Sequence, residues 1–308
     1  MNILMTGASG FVGTALCQTF SRAGHNVYRL LRPESAKRDR TTERVFDIPW
    51  SSGHPEIPQL PGSPEGREVH AIINLSGASV AGGRWTQKRK TLLNSSRIEA
   101  TRGVVNAIAQ MKTRPRVLIS ASAIGYYGDR GDEVLTERSA AGQGFLAELA
   151  KEWEVEAVQA EALGVRVVLA RFGIILAKHG GALPQMMAPF KFGLGAKLGS
   201  GRQWNSWVSL ADVVEIISRT LEDDKLRGPV NVVSPAPVTN TEFTKVLASV
   251  MQRPAIFTAP ALVLRLALGE MADGALLASE RVAPEVLQQN RYAFLHSDLR
   301  EALQAILR

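Results

Sequence analysis

The first half of the chain alternates short apolar runs with segments in which hydrophobic residues recur at helical spacing. Met1–Met5 is followed by a predicted helix over Val12–Ala23, which ends before Gly24. Further apolar runs of strand length are Asn26–Leu31, Val45–Ile48, Ala71–Leu75, Arg116–Ser122, Val165–Arg171 and Pro229–Val233, and further helical patterns cover Leu92–Thr101 and Phe145–Ala162. Strands separated by helices predict an α/β fold, a Rossmann-like doubly wound parallel sheet with helices on both faces.

The pattern changes in the second half of the chain. We interpret Phe172–Ile175 as a loop, and glycines then cluster between 193 and 204, which is typical of either a surface hairpin or a flexible loop over a cleft. Trp207–Asp212 predicts one more strand-to-helix unit, and helical patterns dominate from Thr239 onward. We therefore predict a nucleotide-binding domain at 1–178, completed by about 205–235, and a smaller, mostly helical C-terminal substrate or lid domain at 179–204 and 236–308.

Three glycines connect the first predicted strand to the first predicted helix. Gly7, Gly10 and Gly13 are spaced Gly-x-x-Gly-x-x-Gly, which departs from the Gly-x-Gly-x-x-Gly of the standard dinucleotide fingerprint. A dinucleotide pyrophosphate must lie against backbone N–H groups at a helix N-terminus, where a Cβ atom would intrude. The spacing therefore favours a phosphate-binding loop, although glycines also close many ordinary turns.

The end of the second predicted strand bears on the choice of nucleotide. An acidic residue there would accept hydrogen bonds from a ribose 2′-hydroxyl, but the sequence has Arg32, with Arg29, Lys37 and Arg38 nearby. These cations favour the 2′-phosphate of NADP(H) over NAD(H). The alternative is that Arg32 is a solvated surface residue.

Small residues also follow the strand Ala71–Leu75. Ser76 and Gly77 would let the backbone approach a ribose or pyrophosphate at the carboxyl edge of the sheet. Arg97, on the next predicted helix, either points toward the cofactor phosphates or pairs with a neighbouring carboxylate. The spacing alone does not separate these two alternatives.

Composition narrows the function classes. The 308 residues are 45% hydrophobic and 21% charged, as in an ordinary soluble globular protein, and the net charge of +7 comes from scattered cations. The sequence contains no run of five or six like charges, and its basic residues do not alternate with aromatic ones, so we expect no nucleic-acid partner. Because the histidines are scattered along the sequence, we expect no metal site.

Cellular context follows from the cysteine count and the apolar runs. The single cysteine, Cys17, can form no internal disulfide and suits a reducing cytosol. We expect neither a signal peptide nor a membrane partner, because Met1–Met5 is too short for an h-region and Arg265 interrupts the apolar run Ala259–Leu268. We expect a cytoplasmic monomer or homodimer.

Taken together, the motifs resemble the atypical branch of the extended short-chain dehydrogenase/reductase superfamily, in particular the bacterial "epimerase family protein" group with a C-terminal helical module. The stretches that carry the resemblance are Thr6–Gly13, Asn74–Ser79, Arg84–Arg97, Ser122–Gly128, Arg171–Leu176, Gly180–Leu183, Phe190–Trp207 and Gly269–Pro284. The resemblance implies an NADP(H)-binding Rossmann domain, a C-terminal domain that closes over a small-molecule substrate, and a cytoplasmic location.

The resemblance also implies which residues contact the cofactor. Those of the first loop, for the pyrophosphate, are Gly7, Ser9, Gly10, Phe11 and Val12. Arg32 would contact the 2′-phosphate, and Arg97 matches a cofactor-contacting arginine. Leu75, Ser76 and Gly77 would border the ribose, and Ile174 would lie near the nicotinamide.

One departure from the superfamily pattern concerns catalysis. The Tyr-x-x-x-Lys pair that exchanges a proton with the substrate is absent, since the helix reads Phe145-Leu-Ala-Glu-Leu149, and Lys151 lies about 200° around the helix from the expected face. Ser122, Tyr126 and Tyr127 could supply substitute proton-transfer groups, or the two tyrosines could be packing residues. We therefore predict an NADP(H)-dependent oxidoreductase or epimerase-like protein that acts on an unknown small hydroxylated or carbonyl substrate. The alternative is a catalytically inactive NADP(H)-sensing or scaffold protein.

Overall fold

The computed structural model describes residues 1–33, 44–53, 60 and 68–308. Its strands are β1 (Asn2–Thr6), β2 (Asn26–Leu31), β3 (Val45–Pro49), β4 (Ala71–Asn74), β5 (Val117–Ala123), β6 (Val134–Leu135), β7 (Arg166–Phe172), β8 (Ile174–Leu176), β9 (Ala196–Leu198), β10 (Trp204–Asn205), β11 (Trp207–Ser209), β12 (Gly228–Val232), β13 (Val238–Thr239), β14 (Phe257–Ala259) and β15 (Arg281–Val282). Its α-helices are α1 (Phe11–Arg22), α2 (Gln87–Gln110), α3 (Phe145–Val158), α4 (Leu183–Lys191), α5 (Leu210–Glu222), α6 (Asn240–Met251), α7 (Ala261–Leu268), α8 (Glu285–Gln289) and α9 (Leu299–Leu307).

Seven strands form one parallel sheet in the order β12-β7-β5-β4-β1-β2-β3. The register pairs Thr6 with Asn74 and Leu30, and Arg171 with Ser122 and Asn231, so the carboxyl ends of these strands share one edge. The strands β2 and β3 are added on one side of β1, and β4 and the later strands are added on its other side. This switch in strand order lies between β1 and β4, where such folds have their ligand crevice. The doubly wound parallel sheet predicted from the sequence is confirmed.

Alternate residues of β1 face two separate cores. Ile3 and Met5 pack with residues of α1 and α5, whereas Leu4 packs on the other face with residues of α2 and α3. This alternation follows from the two-residue period of a strand, and it holds helices against both faces of the sheet. The C-terminal helices α6 and α9 build a further core around Trp207 and Phe243.

Two predicted loops have different structures from those expected. Part of Phe172–Ile175 belongs to β8, whose Ile174 pairs in parallel with Trp207 of β11, so the loop interpretation is wrong there. In the glycine-rich 193–204 segment, β9 pairs in parallel with β14, about sixty residues further along the chain. The hairpin interpretation is therefore wrong, because a hairpin pairs neighbouring strands antiparallel.

Candidate functional site

The loop between β1 and α1 uses its glycines for different reasons. Gly7 has φ +64°, and a Cβ atom there would lie 2.3 Å from the backbone oxygen of Leu75. A Cβ atom on Gly13 would lie 2.5 Å from the backbone oxygen of Gly7, so this glycine lets the helix approach the loop. Gly10 and Ser9 are exposed at the tip. The loop is thus tightly folded on its inner side while its outer backbone is accessible to a ligand.

The N-terminus of α1 is open to an anion. Gly10 is the N-cap residue and supplies no side-chain cap, and the first turn contains no acidic residue. The unpaired N–H groups and the helix dipole therefore favour negative charge at Phe11 and Val12. The Phe11 ring packs on Gly180 and Gly181, whose φ angles are +96° and +68° and whose missing side chains make room for it.

Arg97 lies beside the loop that follows β4. Its guanidinium donates to the backbone oxygens of Leu93 (3.0 Å) and Ala78 (2.9 Å), and its Cζ is 3.0 Å from where a Cβ of Gly77 would be. Within the described ranges it forms no ion pair, so a neighbouring carboxylate does not neutralise it. Burial lowers the pKa of Arg97 to about 10, which still leaves it charged at neutral pH. A fixed positive charge thus faces the crevice edge.

Other backbone groups of this second loop lie close to the first. The N–H of Leu75 donates to the Thr6 oxygen (3.2 Å), and the N–H of Ser76 donates to Asn74 Oδ1 (3.4 Å). Asn74 in turn accepts a hydrogen bond from the Thr6 hydroxyl (2.6 Å) in a buried side-chain network. The structure therefore brings together the two loops whose residues were predicted to contact the pyrophosphate and the ribose.

The basic residues predicted around the second strand divide into different groups. Arg32 is exposed just after β2, two positions beyond Leu30, which pairs with Thr6 at the crevice edge. Arg29 is instead paired with Asp47 of β3, with Nε 2.6 Å from Oδ1. Lys37 and Arg38 lie outside the described residues. Arg32 thus lies at the carboxyl edge of the sheet, and Arg29 forms an ion pair with the neighbouring strand.

Ser122 and Tyr127 belong to a buried network at the carboxyl end of β5. The Ser122 hydroxyl donates to Glu154 Oε1 (2.6 Å), and Arg171 donates to both oxygens of Glu154 at 2.8 and 2.7 Å. Arg171 also donates to the Tyr127 hydroxyl (2.9 Å), which donates to Asn231 Oδ1 (2.7 Å). Both candidate hydroxyls therefore already have protein partners.

Burial further distinguishes Tyr127 from its neighbour. Its side chain is fully buried, and desolvation raises the pKa of Tyr127 to about 12 despite the nearby guanidinium of Arg171. Tyr126 is only partly buried, and the Arg171 guanidinium lies 3.6 Å from its ring centroid. Among the described residues, no partner bonds the Tyr126 hydroxyl. Of the three sequence candidates, Tyr126 is the one whose hydroxyl remains available.

Apolar side chains pack at the helix positions where the resemblance implies a Tyr-x-x-x-Lys pair. Phe145 stands edge-on to Trp85 with centroids 5.4 Å apart, and Leu149 is buried in the same cluster. Lys151 faces away, into a groove of about 410 Å³ that it lines together with Ile98 of α2. The prediction from helix geometry that Lys151 lies on another face agrees with this position.

Sequence reasoning did not identify Glu280, just before β15. Its N–H donates to the Trp204 oxygen (3.1 Å), and its own backbone oxygen accepts from the Ser206 hydroxyl (2.7 Å). Desolvation, with a smaller contribution from Asp129, raises the pKa of Glu280 to about 8. Val282, two residues further along in β15, packs with the Ile124–Tyr127 cluster.

No local signal distinguishes Glu280 from other acidic residues, because its environment is assembled from segments more than seventy residues apart. Sequence reasoning also missed the partners Glu154, Arg171 and Asn231, whose hydrogen bonds join residues between 17 and 104 positions apart. Ile174, predicted near the nicotinamide, lies in β8 with its N–H donating to the Ser206 oxygen (2.9 Å). In the ranges that the structure describes, no group of three or more His, Cys, Asp or Glu residues could hold a metal ion.

Comparison with known proteins adds relatives over the full length. The model of the "NAD dependent epimerase/dehydratase family" matches residues 3–233, and that of "Domain of unknown function (DUF1731)" matches residues 259–306. The chain is 39% identical to "Epimerase family protein Mb2239" of Mycobacterium bovis, covering 98% of this chain and 96% of that protein. It is 39% identical to "Epimerase family protein YfhF" of Bacillus subtilis, covering 100% and 98%.

A solved structure is similar along the same length. The crystal structure of human epimerase family protein SDR39U1 (isoform2) with NADPH superimposes with a TM-score of 0.86. The two chains share 27% sequence identity, with 99% of each covered. As for membranes, none of the helices in the described ranges has both the length and the apolarity to cross a bilayer.

Proposed function

Because this chain belongs to the NAD-dependent epimerase/dehydratase family, we propose that it is a cytoplasmic NADP(H)-dependent oxidoreductase or epimerase-like enzyme. Its substrate would be a small hydroxylated or carbonyl compound. The proposal rests on the combination of two features, the open N-terminus of α1 and the cation Arg97, which has no carboxylate partner among the described residues. An anionic nucleotide would supply the missing negative charge.

The residues present fit the cofactor. The inner side of the Gly7–Gly13 loop has no room for a Cβ atom, and its outer backbone is open, as a pyrophosphate cradle requires. The N–H groups of Ser9, Phe11 and Val12 would hold the pyrophosphate, and Gly10, whose own N–H donates to the Gly7 oxygen (3.0 Å), would let it approach the backbone. Arg97 would neutralise a phosphate. Leu75, Ser76 and Gly77 would border a ribose, and Ile174 the nicotinamide.

We assign the preference for NADP(H) to Arg32. An exposed guanidinium beyond the end of β2 is suited to a 2′-phosphate, with which it would form a charge-assisted hydrogen bond. The similar human structure contains NADPH. In this proposal residues 1–178, completed by about 205–235, bind the nucleotide, and 179–204 and 236–308 form the substrate domain.

When bound, the nicotinamide would supply or accept a hydride. The protein's part is to hold a proton-transfer group beside it, and we assign this role to the Tyr126 hydroxyl. Arg171 orients the Tyr126 ring by stacking on it at 3.6 Å, and Glu154 fixes Arg171 through two hydrogen bonds. Ser122 bonds Glu154 and Tyr127 bonds Arg171, so both hydroxyls help to hold this arrangement in place.

The second candidate is a catalytically inactive NADP(H) sensor or scaffold. It is favoured by Phe145 and Leu149, which fill the positions of the superfamily's catalytic pair with packed apolar side chains. This protein would bind the nucleotide tightly but transfer no hydride. Its partner would then associate according to the redox state of the nucleotide.

Binding and turnover measurements test both candidates. Calorimetric titration with NADPH and NADH should show a preference for NADPH, and Arg32→Asp should weaken NADPH binding by about 1.5–3 kcal/mol more than NADH binding. Equal affinities for the two nucleotides before and after the change would contradict the Arg32 assignment. The matched control Arg22→Asp, at the far end of α1, should leave the preference unchanged.

A screen of sugar nucleotides, alcohols and carbonyl compounds separates enzyme from sensor. Hydride transfer that is lost in Tyr126→Phe, with NADPH affinity retained, supports the enzyme. Tight nucleotide binding without turnover on any compound would favour the sensor. If the wild-type protein itself binds no nucleotide, both candidate functions are contradicted.

A further inference from the structure

An apolar strip lies on the surface of the C-terminal half of the chain. It consists of the exposed residues Phe192, Leu194, Ile256, Phe257, Leu262, Val263 and Leu266. These are seven of the thirteen large hydrophobic side chains that are exposed in the described part of the protein. Scattered apolar residues are normal on a surface, but a concentration of this kind marks a contact site.

The segments of the strip are held together by direct contacts. The turn after α4 lies on the segment that precedes β14, because the N–H of Phe257 bonds the Gly195 oxygen and a Cβ atom on Gly195 would lie 2.6 Å from the Pro254 oxygen. The N–H of Gly199 then bonds the Ala259 oxygen (2.8 Å), immediately before α7. The turn, β14 and the start of α7 therefore form one continuous surface.

Helix α7 differs from the other surface helices. Its sequence, ALVLRLAL, is apolar at seven of eight positions, yet none of its residues is buried. Leu262 and Leu266 are 66% and 70% exposed and lie four residues apart on one face, and Val263 lies three residues before Leu266 on the same side. An amphipathic helix normally buries its apolar stripe in the protein core. This one presents the stripe outward.

The charge beside the strip is mostly positive. Residues 162–211 and 243–269 contain no Asp or Glu at all, but they contribute Lys191, Lys197 and Arg253 beside the strip. Among the described residues no ion pair engages these three cations. Arg265 is the exception within the strip segments, since its Nε lies 2.9 Å from Asp273. Acidic residues lie just beyond α7, but Glu270 pairs with Lys90 and Asp273 with Arg265. Exposed apolar side chains beside cations that have no ion-pair partner fit a surface that is both apolar and anionic.

We propose that this apolar strip binds the surface of an anionic phospholipid bilayer. Phe192 and Ile256, each 79% exposed, would insert into the interface between headgroups and acyl chains, as the apolar face of a surface-bound helix does. Lys191, Lys197 and Arg253 would lie at the depth of the anionic headgroups. A second copy of the chain fits less well, because an isologous contact would bring the same cations together.

This surface contact is compatible with the lack of a membrane-spanning helix in the described ranges. The sequence-based expectation of no membrane partner rested on the short apolar runs and on the scattered distribution of the cations. The strip is assembled from three short segments, none of which is long enough to span a bilayer. Attachment of this kind is reversible and depends on lipid charge.

Vesicle co-sedimentation of the full chain tests the proposal. We expect at least about tenfold more protein to bind vesicles of phosphatidylglycerol and phosphatidylcholine than vesicles of phosphatidylcholine alone, since each cation near the surface contributes to binding. The amount of protein bound to anionic vesicles should be at least about tenfold lower for the variant Phe192→Ser/Ile256→Ser/Leu266→Ser than for the wild type. Lys191→Glu/Arg253→Glu should lose a similar amount.

The matched control is Leu92→Ser/Val155→Ser, which removes exposed apolar side chains from α2 and α3 and should bind like the wild type. Thermal unfolding of each variant checks that it is folded. Equal binding to both kinds of vesicle, or none to either, would overturn the proposal. It would also be overturned by sedimentation equilibrium that shows a dimer which the triple substitution dissociates, because the strip would then be a contact between copies.

Discussion

The acidic side chain of Glu280 offers a sharp test of the C-terminal part of the site. Its carboxyl forms no hydrogen bond or ion pair with another described residue, and desolvation together with Asp129 raises its pKa from 4.5 to about 8. Between these two pH values the unfolded chain releases a proton that the folded protein retains. The free energy of unfolding must therefore decrease as the pH rises through this interval.

The size of the effect follows from the same interval. One pH unit between the folded and unfolded pKa corresponds to about 1.4 kcal/mol, so 4.5 to about 8 gives an upper limit of about 5 kcal/mol. Because the side chain keeps partial access to water, we expect about half of that. Glu280→Gln removes the ionisation and should stabilise the protein relative to wild type by about 2–3 kcal/mol at pH 9, and much less at pH 5.

Urea unfolding of wild type and Glu280→Gln at pH 5, 7 and 9, without nucleotide, measures this difference. Comparing the two proteins cancels the contributions of all other titrating groups. Glu133→Gln is a control on a neighbouring segment, since Glu133 is exposed and pairs with Arg130 at 2.7 Å. A difference between Glu280→Gln and wild type that stays constant from pH 5 to pH 9 would refute the placement of this carboxyl.

Three further predictions concern the fold and the support of the site. Gly7→Ala should lower the free energy of unfolding in urea by at least about 3 kcal/mol and abolish NADPH binding. The control Gly24→Ala, also at positive φ but with no atom within 4 Å of the added Cβ, should lower it by about 1–2 kcal/mol. Equal losses would contradict the close packing of the loop. Glu154→Ala should destabilise the protein by about 3–5 kcal/mol because it leaves the Arg171 charge buried and unpaired, and Glu154→Gln should destabilise it by less. If the unfolding free energy of Glu154→Ala lies within about 0.5 kcal/mol of wild type, the buried pair is contradicted. Burial raises the pKa of Cys17 to about 11, so a thiol reagent at pH 8 should modify it only after denaturation, and rapid modification of the native protein would show that α1 does not cover it.

The sheet was predictable because its signals are local. Apolar runs such as Val165–Arg171, interrupted by helical spacing, indicate parallel strands, and β7 lies at 166–172 as a consequence. Gly13 was predictable for the same reason, since it is required by a backbone contact within one strand-turn-helix unit, whereas the contact that requires glycine at position 7 is with Leu75, after β4. The error at Ile174 arose because β8 gains its order from Trp207, a partner more than thirty residues away.

The support of the candidate site could not be predicted in this way. Arg171 reads as the last residue of a strand, and a charged residue there is ordinarily solvated. Only the folded chain shows that Glu154, from the preceding helix, and Tyr127 satisfy its donors. The alternatives for Arg97 were likewise separable only in three dimensions, where two backbone oxygens rather than a carboxylate accept its hydrogen bonds.

Tyr126 and Glu280, whose side-chain polar groups bond no other described residue, come from different parts of the chain and lie outside the proposed nucleotide cradle. In the superfamily pattern one helix carries both members of the catalytic pair, but here Phe145 and Leu149 make that helix face apolar. Tyr126 follows β5, whereas Glu280 belongs to the C-terminal segment. If both face one substrate, Tyr126→Phe and Glu280→Gln should each reduce turnover without weakening NADPH binding. If the protein is only a sensor, the same changes should leave the redox-dependent association intact, because neither residue belongs to the nucleotide cradle.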